Sequence, residues 1–170
     1  MSGFSRTVGV IMTDKPLRAQ LADFLDWTHA HVGFDDAVKG IPPRLRGSVP
    51  KGFAHSVWEI VEHVRIAQHD ILDFCRNPRY KQTMQWPGDY WPKTRGPKTA
   101  SAWTTSLADL KRDRKAMQRL AADRRVDLFA KIPHGSGQTY IREVLLVADH
   151  TAYHVAQIVD VRRALGNWKQ

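Results

Sequence analysis

The feature that most constrains this chain is an apolar stripe near its C-terminus. Ile141, Val144, Leu145, Ala148, Ala152, Val155 and Val159 recur at the three- and four-residue spacing of one helix face. Thr139 stands where an N-cap would accept from the first turn, and Gly166 where a left-handed residue would close the last one. Such a helix buries its stripe only against other elements, and three further segments have the same period. The first runs from about Pro16 to Val32, with Leu17, Leu21, Phe24, Leu25 and Thr28 on one side and Gly33 as a stop. The second opens at Ser56, where Ser-Val-Trp-Glu is a capping box closed by Glu59, and ends near Cys75 ahead of Asn77 and Pro78. Its apolar face is Val57, Ile60, Val61, Val64, Ala67, Ile71, Leu72 and Phe74. The third spans about Ala102 to Arg125, capped by Thr99 or Ser101, with Trp103, Leu107, Leu110, Met117 and Leu120 inward.

No pair of segments reads as strands. The expected fold is therefore all-α, a four-helix bundle forming a single domain over residues 1–170. The long connections 33–55 and 76–100 allow crossovers, so the helix order need not be simple up-and-down. Residues 76–100 hold four prolines and two glycines, which prevent a regular element, yet they also carry Tyr80, Trp86, Tyr90 and Trp91. Aromatic side chains favour burial, so this loop is expected to pack over one end of the bundle, with Trp86 and Trp91 shaping a pocket wall.

Composition narrows the function classes. The net charge of +9 and a pI near 10.0 invite a nucleic-acid partner. The positive residues are dispersed, however, and the densest run, Lys111 to Arg119, is interrupted by Asp113, as in a solvated helix face. Nucleic acid is therefore not the expected partner. No apolar run approaches the ~18 residues of a membrane span. The N-terminal stretch lacks the features of a secretory signal, so a cytoplasmic location is expected. The lone Cys75 excludes an internal disulfide and a Cys-rich zinc site. It also sits at a helix C-terminus, where the dipole disfavours a thiolate, which argues against a nucleophile.

His150 and His154 stand four residues apart on the fourth helix. Side chains at that spacing are neighbours, so two imidazoles there can point at one ion. His63, among Ile60, Val64 and Ala67 on the second helix, is the best third ligand. Facing helices of a bundle can assemble such a site, and a catalytic one would leave a position open. The spacing is common by chance, and buried histidines are often plain hydrogen-bonding core residues, so both readings stand on these residues alone. A zincin protease is excluded by its missing general base: the stretch reads His-Thr-Ala-Tyr-His, with Thr151 where that motif has Glu.

The stretches HSVWEIVEHVRIAQHDIL and DHTAYHVAQIVDVRRALGNW, with HAHVGFDDAVKGIPPRLRG and WPGDYWP, resemble a bacterial branch of the DinB-like superfamily, the DinB/YfiT-like metalloenzymes. The resemblance covers about residues 17 to 168. It implies a four-helix bundle with noncontiguous helix order and a metal triad of His63, His150 and His154. It implies a divalent transition metal, zinc or nickel, and in many relatives a homodimer. Characterised members include bacillithiol-dependent S-transferases and a mycothiol-dependent maleylpyruvate isomerase, in which the metal activates the thiol of a low-molecular-weight cofactor. The expected function is thus a metal-dependent enzyme acting on a small-molecule substrate, as a thiol-dependent S-transferase or a hydrolase. The alternative is a non-catalytic metal- or small-ligand-binding stress-response protein.

Around the triad, Glu59 either orients His63 or only completes its cap, and Gln157 either faces the metal or bonds across the bundle. His31 is a candidate for the pocket. His29, His55, His69 and His134 are read as surface or structural, and Tyr153 as a core residue, because it projects about 100° away from His154.

Overall fold

The computed structural model describes residues 14–26, 28 and 30–168 of the chain; His29 and the N-terminal stretch lie outside the described residues. Among these residues the protein is all-helical: α1 (Lys15–Phe24), α2 (Phe34–Val38), α3 (Pro43–Arg46), α4 (Val57–Arg76), α5 (Ala100–Ala122) and α6 (Tyr140–Ala164), with a 3-10 turn at Gly88–Tyr90. An isolated bridge between Lys131 and Thr139 is the only strand-like pairing described.

The caps of the long helices are those their residues specify. The Ser56 hydroxyl accepts from the Glu59 N–H at 3.2 Å, and the Glu59 carboxylate accepts from the Ser56 N–H at 2.8 Å. Thr99 and Thr139 cap α5 and α6 in the same manner, each accepting from the backbone three residues on. Gly166 ends α6 at φ 67°, a backbone conformation that costs glycine nothing and other residues a Cβ clash.

The first helix is shorter than its apolar stripe predicts. It stops at Phe24, and the Asp26 N–H turns back to the Asp23 carbonyl at 3.0 Å. Leu21 and Leu25 are buried, whereas Leu17, Phe24 and Thr28 are exposed. The chain instead forms the short α2, whose Phe34, Ala37 and Val38 are buried and which packs on α6. Apolar spacing marks residues that could share one helix face; it fixes neither their burial nor a continuous hydrogen-bond ladder beneath them.

α1 packs chiefly on α5, α4 lies between α5 and α6, and α6 also touches α1. The helix order is therefore noncontiguous, and the packing is compatible with the expected bundle. Two apolar clusters divide the interior. One joins α2, the first half of α4, Trp103 and the second half of α6; the other joins α1, the end of α4, the end of α5 and the start of α6.

Candidate metal centre

His63 lies on the buried side of α4 because Ile60, Val61 and Val64 around it are drawn into the core. His150 and His154 are neighbours on α6, where Val147, Val155 and Ile158 anchor the helix. Packing α4 against α6 brings the rings together. His150 Nε2 is 3.0 Å from His63 Nε2 and 3.1 Å from His154 Nε2. Each residue offers one ligand atom, and these atoms lie within 4.8 Å of one another. Nitrogens on a tetrahedral ion at ordinary Zn–N distances would be about 3.3 Å apart.

The outer nitrogens decide what the inner ones can be. His63 Nδ1 is 2.9 Å from the Tyr90 carbonyl, and His154 Nδ1 is 2.7 Å from Gln157 Oε1. Both partners are acceptors, so each Nδ1 carries the proton and each Nε2 presents a bare lone pair. Two such lone pairs directed at a third imidazole require a shared proton or a cation. The donor set therefore fits a divalent ion.

Burial favours the neutral rings. His150 is pushed down to about 3, by desolvation first and then by His154 and His63. His154 is pushed down to about 4, again mainly by desolvation, against the raising effect of its bond to Gln157. His63 is lowered by desolvation and partly restored by the Tyr90 carbonyl. No carboxylate, lysine or arginine figures among these causes.

The loop between α4 and α5 forms one wall. Trp91 stacks on the His63 ring at 4.0 Å with planes 4° apart, and His55 stacks on the opposite face of Trp91 at 3.9 Å. The Tyr90 hydroxyl donates to Asp70 Oδ2 at 2.6 Å, and the Tyr80 hydroxyl donates to Asp70 Oδ1 at 3.0 Å. The loop is thus tied to α4 two turns beyond His63, which holds the Tyr90 carbonyl at His63 Nδ1.

The remaining predicted residues divide. Gln157 meets His154, and Trp91 meets His63. Trp86 stands 6.1 Å from the His63 ring but is 67% exposed, a rim residue instead of loop core. Glu59 is used by the cap; the group that orients His63 is a loop carbonyl. His31 is exposed and lines a separate cavity of about 200 Å³ with Phe24, Phe34, Arg114 and Val155. Tyr153 is not a core residue: it is 63% exposed and meets His154 edge-on at 5.0 Å. Sequence reasoning missed Asp70, Tyr90 and the stacking of His55. Asp70 shares a face with His63, which was a usable signal; a backbone carbonyl leaves none.

These features define an all-helical protein with three convergent imidazoles at the junction of two helices and a loop. The chain belongs to the DinB superfamily, whose family model matches residues 19–158. No curated protein and no solved structure matched the chain.

Proposed function

We propose that this protein is a metal-dependent enzyme that holds one divalent transition metal, zinc or nickel, on His63, His150 and His154. The observation that supports it is the meeting of three Nε2 atoms, two of them stripped of their proton by the bonds at Nδ1. Three neutral ligands leave the ion its full charge and a further position for a thiol or water, whose pKa it lowers when bound. The reaction class is a thiol-dependent S-transfer, with hydrolysis as the variant in which water takes the thiol's place. The substrate is a small molecule, and the thiol is of low molecular weight.

The chain's own residues hold this arrangement. Tyr90 and Gln157 fix two ring tautomers, Trp91 shields one face of His63, and His150, the least buried of the three, leaves access from outside. That access favours catalysis over a closed structural site, which would hold a fourth protein ligand. Cys75 is buried and its thiol is pushed up to about 12, chiefly by desolvation, so the nucleophile comes from outside the chain. The setting we assign is a cytoplasmic homodimer without a nucleic-acid partner. Arg112, Arg114 and Arg125 are engaged by aspartates, and among the described residues no helix is long and apolar enough to cross a membrane.

The test is metal analysis of the purified chain after loading with zinc or nickel. About one ion per chain is expected in the wild type, and none in His150→Ala. Cobalt-loaded protein should then change its visible spectrum on titration with a low-molecular-weight thiol. No metal uptake, or full uptake by His150→Ala, overturns the ligand assignment; uptake without any response to thiol overturns the S-transfer reading.

A further inference from the structure

Two large aromatic side chains stand in solvent beside the triad. Trp86, from the loop, is 67% exposed, and Tyr153, from α6, is 63% exposed. Single exposed apolar residues need no explanation. These two come from different elements, and each is held against the site itself. Trp86 meets Tyr90 edge-on, with centroids 5.2 Å apart and planes at 65°, and Tyr90 is the residue whose carbonyl orients His63. Tyr153 meets the His154 ring edge-on at 5.0 Å and 85°. A T-shaped contact occupies at most one face of each ring, so an exposed ring held this way keeps a face open to a further stacking partner. Phe129 is as exposed, at 65%, but lies in the turn before α6, with none of the triad among its contacts, and so provides an internal comparison.

We propose that Trp86 and Tyr153 form a stacking subsite for a planar apolar ring carried by the molecule that occupies the open position on the metal. The inference rests on the metal reading above and sharpens it: the preferred substrate is aromatic or similarly flat, with a metal-binding head. The three imidazoles hold the ion that takes the head, and the two exposed rings take the flat body. An aliphatic substrate of the same head group gains only the metal contact.

Two hydroxamates that differ by a phenyl in place of a methyl isolate the subsite. The zinc-loaded full chain is titrated calorimetrically with acetohydroxamate and with benzohydroxamate. Benzohydroxamate should bind about tenfold more tightly, the scale of one good aromatic contact. The ratio should fall toward one in Trp86→Ala and in Tyr153→Ala while metal stoichiometry is kept, and Phe129→Ala should keep the wild-type ratio. Equal affinities in the wild type, or a preference that survives both substitutions, overturn the subsite. Metal bound without ring preference removes the subsite alone; failure to take up metal removes the metal reading and the subsite with it. A dimer seen by sedimentation that dissociates on Trp86→Ala would assign these rings to a self-interface and overturn the proposal.

Discussion

α4 carries two buried side chains with opposite prospects, His63 near its middle and Cys75 in its last turn, roughly 18 Å apart along the axis. Both are withdrawn from water to a similar extent, with His63 2% and Cys75 5% exposed. Desolvation favours the neutral form in each. For an imidazole the neutral form is the ligand, so burial prepares His63, His150 and His154 for a cation. For a thiol the neutral form is the inert one, so burial, reinforced by the nearby Glu143 carboxylate, silences Cys75. Along one helix the same physical effect readies one group and disables the other. The neighbours complete the difference: His63 meets an acceptor at Nδ1 and two imidazoles at Nε2, whereas Cys75 lies among Leu72, Leu120 and other apolar residues.

The largest break in this comparison should come from the ligands. Replacing His150 by Ala should lower metal content from about one ion per chain to near zero, read by elemental analysis. The groups that hold the ligands should matter less. Asp70→Asn, which loosens the loop, and Gln157→Ala should each weaken metal affinity on the order of tenfold, measured by competition with a chromogenic chelator. Unchanged affinity in both would show that the rings need no bracing.

Acid offers a graded test with a defined sign. The unfolded histidines titrate near 6.5, and the folded ones lower, His150 near 3 and His154 near 4. The unfolded chain therefore binds more protons in this window. The histidines' contribution to the stability of the metal-free fold should be full above about pH 6.5 and be lost progressively as pH falls toward 3. Chemical denaturation midpoints across that range check the direction, and His150→Ala should flatten the slope.

The smallest effect belongs to Cys75. Cys75→Ala should leave metal content unchanged and lower stability by about 1 kcal/mol, the usual cost of one buried heavy atom. The native thiol should resist iodoacetamide at mildly alkaline pH. Rapid labelling of the folded protein would contradict its burial.

Legibility in the sequence followed the range of the interactions. The capping box at Ser56, the Thr139 cap and the Gly166 stop are local, so α4 and α6 begin and end where their residues indicate. The same locality made the histidine pair readable, because four residues on one helix are always neighbours. α1 misled because Leu17, Phe24 and Thr28 continue the period without being covered, and only the packing of α2 on α6 reveals why the helix can stop. Tyr153 misled for a related reason: position on a helix gives a direction, and what lies in that direction depends on which helix stands there.

The residue pattern alone was enough for the three long helices α4, α5 and α6, their caps, a thiol unsuited to catalysis and a set of histidines able to meet. These follow from backbone hydrogen bonding and side-chain period, which act within a few residues. Tertiary structure alone decided that α1 pairs with α5 while α4 lies against α6, which sets His63 Nε2 3.0 Å from His150 Nε2. It also decided that a loop carbonyl orients His63, that Trp91 covers it, and that Trp86 and Tyr153 stand open at the rim. Contacts between residues 63, 90 and 150 depend on how whole elements bury their apolar faces together, and no spacing along the chain encodes that.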